Sequence, residues 1–542
     1  MTTVRVAAVQ FCVTEDVEAN LATCLRMTDR AVARDARIVV LPEFCNHVSW
    51  YDDRAHARRM AVSLDGPFVA ALAAKAAEHR IHLMANCTLA REGGRTTGTN
   101  LLFGTRGELL ATSDKQVLMG SERDHLDPAD EASDVVDTEH GRLGMYSCMD
   151  GVINETPRML AVGGAQLLLN SLNSFALDEA SLHVPVRAVE NRVWVVAANK
   201  VGPLVPERSI EIVAEKVGVP VDLLHGAGES QIVAPDGTVV AIAPRRGEAV
   251  VVADIEVETA DDKRRPDGTD VMAARRPALY GPIVDRPVGR RAPVGAAEMR
   301  AAVICPGPGD DIGALLGQAL STGADLVVLP ELCGPSTDDI VRAITSSGHA
   351  DALVVSTVGE GGTHVGLVVG ADGVRMRQPQ LHASARHEPW ATTAGEEVLV
   401  LDAAWGRLAV VVGDDALYPE TFRLAALHDA DVVAVPFTVA AGSDLDPLLL
   451  ERAAENRLNL AVASRVTSRG AGGLIPLSAD FTLWTEWSRP FAGVISRPEP
   501  VPATGPVTVA TLRPACAANR FVTRGTDLVD GRPWALAGVL SR

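Results

Sequence analysis

The chain has 542 residues, of which 47% are hydrophobic and 22% charged, and it carries a formal net charge of −19 at pH 7. This composition is typical of a globular protein and excludes a disordered chain, while the length exceeds what one hydrophobic core usually supports. The negative charge argues against a surface for nucleic acid or for an anionic membrane, and no apolar run approaches the roughly 20 residues of a transmembrane helix.

The first residues pass directly into the apolar segment Val4-Arg5-Val6-Ala7, without the basic and apolar regions of a secretory signal. We therefore expect a cytoplasmic protein. Its eight cysteines have no regular spacing, which favours reduced thiols over a disulfide framework.

Short runs rich in Val and Ala alternate with segments of helical periodicity, which predicts β–α–β units. The predicted elements are, in chain order, a strand at 5–11, a helix at 19–36, a strand at 37–41, a helix at 69–79, a strand at 81–87, a hairpin of 101–103 with 108–113, a strand at 144–147, a helix at 155–162, a strand at 166–170, a helix ending near 191 and a strand at 193–199. Strands alternating with helices, together with a hairpin, indicate an α/β layered sandwich.

The chain also repeats itself. A constant offset of 265 residues relates GRL at 141–143 to GRL at 406–408 and RAVENR at 187–192 to RAAENR at 452–457. LPE at 41–43 recurs at 329–331 with an offset of 288. Since long internal repeats define an architecture, we predict two tandem domains at residues 1–262 and 297–515, a linker at 263–296 and a C-terminal tail at 516–542.

Three reactive side chains each follow an apolar run in the first copy. Glu43 and Lys115 end strand-like segments, and Cys148 lies between a predicted strand and a predicted helix, where backbone N–H groups favour an anion. A catalytic cysteine needs a base or a positive neighbour to raise its thiolate fraction. The pattern predicts Cys148 as nucleophile, Glu43 as general base, and the Lys115 ammonium with the Met149 N–H as the oxyanion donors.

The order of these residues, in the settings LPEF (41–44), SDKQVL (113–118) and YSCMDG (146–151), resembles the carbon–nitrogen hydrolase (nitrilase) superfamily. The resemblance covers both copies, apart from the linker and tail. It implies an αββα sandwich, and it implies a supporting catalytic role for Glu122, seven residues after Lys115. Members of the superfamily pair two such sandwiches through helices, so the resemblance also implies that the two copies pair within one chain.

The second copy lacks the nucleophile and the cation. Gly413 stands at the position of Cys148, and the position of Lys115 falls on Gln380 or Leu381, while Glu331 is kept. We therefore predict a degenerate second domain that supports the first in an intramolecular pseudo-dimer, with a further homodimer left open. Glu155 and Arg158 recur in the degenerate copy as Glu420 and Arg423, which favours structural ion pairs over catalysis.

The predicted activity is that of a thiol amidohydrolase, which uses water to cleave a non-peptide C–N bond of a small amide or N-carbamoyl compound through a Cys148 thioester. Two alternatives stay open: acyl transfer to an amine by an enzyme of the same superfamily, and a non-catalytic scaffold. A nitrilase is disfavoured because Trp-Glu does not follow Cys148.

Trp50 and Asn170 are further candidates for binding the substrate. We expect the segment after Glu43, with His47, Trp50 and Tyr51, and the segment 200–232 to border the Cys148 pocket, because both are absent from the second copy. The mechanism needs no cofactor. The spacings of Asp124-His125 and of His382 with His387 match no metal-ligand pattern, so no metal is predicted.

Overall fold

The computed structural model describes residues 3–542, which form two sandwiches with two six-stranded sheets each. In the first module, one sheet contains β1 Thr3–Gln10, β2 Ile38–Val40, β3 His82–Ala90, β4 Thr96–Phe103, β5 Leu109–Asp114 and β12 Ala249–Glu256. The other contains β6 Val136–Thr138, β7 Gly141–Ser147, β8 Leu167–Ser171, β9 Trp194–Ala198, β10 Gln231–Val233 and β11 Val239–Ile242. The strand orders are 12-1-2-3-4-5 and 11-10-9-8-7-6.

The second module repeats this topology. One sheet contains β13 Met299–Ile304, β14 Leu326–Val328, β15 Leu353–Glu360, β16 Thr363–Gly370, β17 Gly373–Pro379 and β24 Val507–Leu512. The other contains β18 Val400–Ala403, β19 Gly406–Val410, β20 Val432–Pro436, β21 Asn459–Ala463, β22 Gly473–Ile475 and β23 Val501–Pro502. Each of the four sheets has three parallel strands at its centre and antiparallel strands at both sides. This confirms the internal duplication.

Helices cover the outer faces of the sheets. They are α1 Val17–Val32, α2 Arg54–Met60, α3 Pro67–His79, α4 Glu122–His125, α5 Met149–Val152, α6 Glu155–Val162, α7 Val184–Asn191, α8 Ile210–Val217, α9 Gly281–Val284, α10 Ile312–Ser321, α11 Thr337–Ser347, α12 Pro419–Leu427 and α13 Leu450–Asn456. In the first module one apolar core lies between the two sheets, and others lie between each sheet and its helices. The predicted αββα architecture is confirmed.

The local predictions agree with these elements to within a few residues. The helix predicted at 155–162 is α6, and the hairpin predicted at 101–113 joins β4 to β5. The helix predicted at 19–36 is shifted towards the N-terminus. It begins at Val17 because the Asp16 carboxylate accepts the backbone N–H groups of Glu18 and Ala19, and it ends before Asp35, which has a φ of 63°.

The two modules pack through α6 and α7 on one side and α12 and α13 on the other, around a shared apolar cluster that includes Met159 and Phe422. The contacts are reciprocal. Arg158 Nε lies 2.8 Å from Glu420 Oε1, and Arg423 Nε lies 2.7 Å from Glu155 Oε1. Such exchange of equivalent contacts is the signature of a two-fold interface. The predicted intramolecular pseudo-dimer is confirmed, and each of these four side chains pairs with the opposite module.

A second reciprocal set of ion pairs lies between α7 and α13. Arg187 Nη2 is 2.6 Å from Glu455 Oε2, and Arg452 pairs with Glu190. All four side chains are buried. The centre of the interface is therefore an ion-pair network that is closed off from solvent.

The segment between the sandwiches packs on the second module. Arg265, Arg275 and Arg290 form ion pairs with Asp444, Glu420 and Asp431. The last residues return to the first module as a small hairpin of β25 Phe521–Thr523 and β26 Thr526–Asp527, in which Thr526 Oγ1 accepts the N–H of Gly120. Among residues 3–542, no helix is long and apolar enough to cross a bilayer.

Candidate active site

Cys148 occupies a sharp turn between β7 and α5. Its φ of 44° and ψ of −107° are unusual for a residue with a side chain and store strain of roughly 1–3 kcal/mol. The turn is held from β8, because the Cys148 N–H donates to Ser171 O at 3.0 Å and to Asn170 Oδ1 at 3.2 Å. The geometry presents the thiol at the carboxyl end of the central strands, where sites of α/β proteins gather.

Glu43, Lys115 and Glu122 form a buried charged cluster beside this turn. Lys115 Nζ lies 2.9 Å from Glu43 Oε1 and 2.9 Å from Glu122 Oε1. The second oxygen of Glu122 accepts the Met119 N–H at 2.8 Å, which fixes its orientation. Both Lys115 and Glu43 are wholly buried. The structure thus brings together three of the predicted catalytic side chains next to the fourth, Cys148.

Burial raises the pKa of the Glu43 carboxyl to about 7, although the Lys115 ammonium opposes the shift. Burial alone would lower the pKa of Lys115, but the carboxylates of Glu122 and Glu43 outweigh it and raise that pKa well above its ordinary value. Burial and then the Glu43 charge raise the pKa of the Cys148 thiol, and Lys115 offsets part of the rise. The resting site therefore holds a neutral thiol, a cationic lysine and a carboxyl that titrates near neutrality.

Asp150 links the cysteine turn to the lysine strand. Its Oδ1 accepts the N–H groups of Gln116 at 3.0 Å and Val117 at 2.8 Å, directly after Lys115. Burial raises the pKa of this carboxyl to about 7, with Lys115 acting against the shift. The sequence interpretation missed this residue. Its recurrence as Asp415, at the same offset as the rest of the repeat, was the available signal.

Both modules line the cavity at Cys148, which has a volume of about 60 Å³. The first module contributes Phe175 and Glu179, the second contributes Ile495 and Ser496, and the C-terminal hairpin contributes Val522. Phe175 also packs on Trp484 and Phe491, with ring centroids 5.5 and 6.0 Å away. Three residues from the second half of the chain therefore complete the wall of the cavity at Cys148.

The remaining predicted residues have different positions. Met149 is the first residue of α5 and lines the cavity, so its N–H has no acceptor within the helix. Asn170 holds the Cys148 backbone through its side-chain oxygen. Trp50 is not among the residues that line the cavity, since it packs with an apolar cluster that includes Val205 and Ile210.

The two segments that are specific to the first module also lie beside the cavity rather than in its wall. His47 and Tyr51 are buried and stacked on each other. The stretch 217–219 borders a neighbouring cavity of about 390 Å³ together with 483–491 of the second module.

Lys200, at the start of the second of these segments, is a further residue that the sequence interpretation missed. It is buried, and its Nζ lies 5.8 Å from the Phe44 ring centroid, on which Lys115 also packs. Burial lowers the pKa of the Lys200 ammonium to about 8, with Glu43 the main opposing charge. Lys200 therefore adds a second buried cation next to the proposed base.

The corresponding site of the second module is built differently. The N–H groups of Leu381 and His382 bind Asp415 as those of Gln116 and Val117 bind Asp150, which places Gln380 at the position of Lys115. Gly413 has a φ of 53°, and a Cβ added there would lie 2.6 Å from Glu331 Oε2. This site therefore has neither the thiol nor the amine, and a side chain at residue 413 would require the Glu331 carboxylate to move.

A positive charge is nevertheless kept next to the second glutamate. Arg386 Nη1 lies 2.5 Å from Glu331 Oε1, and the same guanidinium pairs with Asp414. Glu331 therefore keeps a cationic partner in a site that has no nucleophile.

Residues 5–265 match the family described as Carbon-nitrogen hydrolase. The chain is 26% identical over 262 residues to a nitrilase of Pyrococcus abyssi, which covers 48% of this chain and 92% of that protein. It is 25% identical over 295 residues to the N-carbamoylputrescine amidase of Solanum tuberosum, with 51% and 93% covered. An amidase structure from Nesterenkonia sp. covers 48% of this chain and 93% of its own, with 22% identity and a TM-score of 0.39. Residues 5–265 belong to the carbon–nitrogen hydrolase superfamily, and this first module is that of a hydrolase of carbon–nitrogen bonds other than peptide bonds.

Proposed function

We propose that the first module is a thiol amidohydrolase that cleaves the C–N bond of a small amide or N-carbamoyl compound through a thioester on Cys148. The observation that carries the proposal is the buried cluster of Glu43, Lys115 and Glu122 beside a cysteine held in a strained turn. Buried charges are costly unless they are paired, and strained backbone concentrates at functional sites.

The first step is attack on the substrate carbonyl. Because the Cys148 thiol is neutral at rest, it needs a base, and Glu43 has a carboxyl pKa of about 7 that suits this task. Glu43 takes the thiol proton as Sγ forms its bond to the carbonyl carbon. Lys115 has three N–H donors and two carboxylate partners, so one donor remains for the oxyanion, together with the Met149 N–H.

The second step expels the amine. The proton held by Glu43 passes to the leaving nitrogen as the C–N bond breaks, which leaves a thioester and a Glu43 carboxylate. Water then gives one proton to Glu43 and attacks the thioester carbon. The returning proton restores the thiol, so the net reaction consumes one water and releases an acid and an amine or ammonia.

The dimensions of the cavity favour a small substrate. Its volume is about 60 Å³, and Phe175, Ile495 and Val522 give it apolar walls. Glu179 of the first module and Ser496 of the second supply polar groups. Two relatives are named as an omega-amidase of Arabidopsis thaliana and an N-carbamoylputrescine amidase of Solanum tuberosum, and these names support an amide or N-carbamoyl substrate.

A panel of small amides, N-carbamoyl amines and nitriles, assayed for ammonia release, tests the proposal. Intact-mass spectra recorded during turnover should show an acyl adduct on the wild-type chain and none on Cys148→Ala. Cys87→Ala is the matched control, because this thiol is buried in the apolar core of the same module, and it should keep its activity. Full activity of Cys148→Ala would overturn the mechanism, and amide formation that depends on an added amine would favour acyl transfer.

A further inference from the structure

A second cluster of reactive groups lies in the degenerate module, at the position where the first module has its catalytic residues. His364 on β16, His387 and Glu331 each offer one ligand atom, and these atoms all lie within 4.8 Å of one another. All three side chains are buried. They come from segments more than twenty residues apart, so no local spacing in the sequence predicts the cluster.

The orientation of both imidazoles is fixed by Gln380, which occupies the place of the catalytic lysine. The Gln380 side-chain NH₂ donates to His382 O at 3.0 Å, so its Oε1 must be the atom that faces the histidines. That oxygen accepts from His364 Nδ1 at 2.8 Å and from His387 Nδ1 at 3.3 Å. Both rings therefore carry their proton on Nδ1 and keep the Nε2 lone pair for another partner.

Two polar atoms of the cluster have no hydrogen-bond partner in the described part of the chain. Within the described range 3–542, His364 Nε2 and Glu331 Oε2 are buried and make no hydrogen bond. His387 Nε2 lies 3.9 Å from Glu331 Oε2, which is too long for a hydrogen bond. Buried polar atoms without partners are rare and require an explanation.

We propose that this cluster is a binding site for a divalent transition-metal ion such as Zn²⁺, held by His364 Nε2, His387 Nε2 and Glu331 Oε2. Two imidazoles and one carboxylate are a ligand set that zinc and neighbouring metals accept. With bonds of about 2.0–2.1 Å, two ligands of a tetrahedral zinc ion lie about 3.4 Å apart, so the donors reach the metal by small side-chain rotations.

The surroundings fit this assignment. Gln380 acts as the outer partner that metal-bound histidines usually have on their second nitrogen. Arg386 binds the far oxygen of Glu331 and leaves Oε2 available, while Asp414 offsets the charge of the guanidinium. The adjoining cavity of about 80 Å³, lined by His364, Gln380 and Ser384, leaves room for a fourth ligand such as water.

The missing nucleophile is part of the same arrangement. A Cβ at residue 413 would meet Glu331 Oε2 at 2.6 Å and His364 Cε1 at 3.2 Å. Glycine at this position therefore leaves the space in which Glu331 Oε2 and the His364 ring lie. The site stands apart from the proposed amidase reaction, which uses residues of the first module.

The test uses the full-length chain, stripped with a chelator and then dialysed against Zn²⁺ alone. Metal analysis should give about one zinc ion per chain, and titration with Co²⁺ should produce the visible absorption of a low-symmetry N/O site. His364→Asn and His387→Asn should lose the ion. Gln380→Leu removes none of the three proposed ligands but takes away the acceptor of both imidazoles, and it should weaken the Zn²⁺ Kd by about 10–100-fold.

The matched control is His140→Asn, because His82, Glu139 and His140 form another cluster of possible ligands, in the first module. That variant should still bind one ion. Far-UV circular dichroism reports whether each variant is folded. The Co²⁺ spectrum of the wild-type chain tests the site without relying on the folding of any variant. Absence of the Co²⁺ bands, absence of bound zinc, or zinc that is lost in His140→Asn but kept in His364→Asn would overturn the proposal.

Discussion

The ion pair between Glu155 and Arg423 allows the coupling of the two modules to be measured. Arg423 Nε and Nη2 donate to the two oxygens of Glu155 at 2.7 and 3.2 Å, and both side chains are wholly buried. Arg423 Nη1 also donates to Glu455 O and Leu528 O. Arg423→Met removes the guanidinium and leaves the Glu155 carboxylate buried without its cation.

Breaking a buried ion pair by removing one partner costs about 3–5 kcal/mol, which is the loss expected for Arg423→Met. The mirror carboxylate, Glu420, has two cationic partners and depends on pH in its own way. Burial alone would raise the pKa of Glu420, but Arg158 and Arg275 hold it at about 2. Against about 4.3 in an unfolded chain, this difference corresponds to about 3 kcal/mol. The carboxyl pKa is lowered by folding, so this stabilisation is present at pH 7 and is lost as the pH falls through about 4 towards 2.

Urea unfolding at pH 7, followed by circular dichroism and tryptophan fluorescence, measures the effect in a double-mutant cycle. Arg423→Met should lose about 3–5 kcal/mol, and Glu155→Leu should lose less, because Arg423 keeps its two carbonyl partners. The double variant should recover much of the loss. Arg375→Met, which breaks an exposed pair with Asp372, should change stability by less than about 1 kcal/mol. A similarly small loss in Arg423→Met, or additive losses in the double variant, would refute the reasoning.

Three further predictions concern the first module. Lys115→Met should lower kcat by about 10²–10³-fold, as measured by steady-state kinetics. Lys115→Arg should not restore kcat, because a planar guanidinium cannot replace a point ammonium between two carboxylates. Since Glu43 must be ionised to act as base, kcat/KM should fall about tenfold per pH unit below an apparent pKa of about 7. A pH profile whose acidic limb has an apparent pKa of about 4–5 would contradict a buried base. The first module expressed alone to Val288 should expose Met159 and its neighbours and self-associate on a sizing column, whereas a monomeric and fully active fragment would argue against a supporting role for the second module.

Local patterns predicted the fold well. The strands and α6 were identified because buried strands and amphipathic helices impose short-range periodicity on the chain. The constant offset of the repeat predicted the duplicated topology. It also marked Glu155, Arg158 and their copies as structural, since ion pairs between equivalent helices leave the same residues in both modules.

Contacts between distant segments could not be predicted in this way. The Cys148 cavity is also lined by Ile495, Ser496 and Val522, which are more than three hundred residues away in the sequence. No periodicity in the sequence indicates this contact. Trp50 was expected at the pocket because its segment is absent from the second copy. Its ring packs on the apolar cluster at 205–224 instead. The absence of a segment from the second copy was therefore a poor guide to the wall of the site.

The division of the Cys148 cavity between two modules has an evolutionary consequence. In a symmetric pair of identical modules, every substitution in the wall enters both active sites, and it must be compatible with a nucleophile encoded in the same copy. Here Ile495 and Ser496 belong to a module that has glycine in place of the cysteine, and Val522 follows that module in the same half of the chain. Natural selection can therefore vary substrate choice in one half of the gene while the other half preserves the reactive groups. Duplication therefore allows part of the cavity wall to change without changing the residues around Cys148.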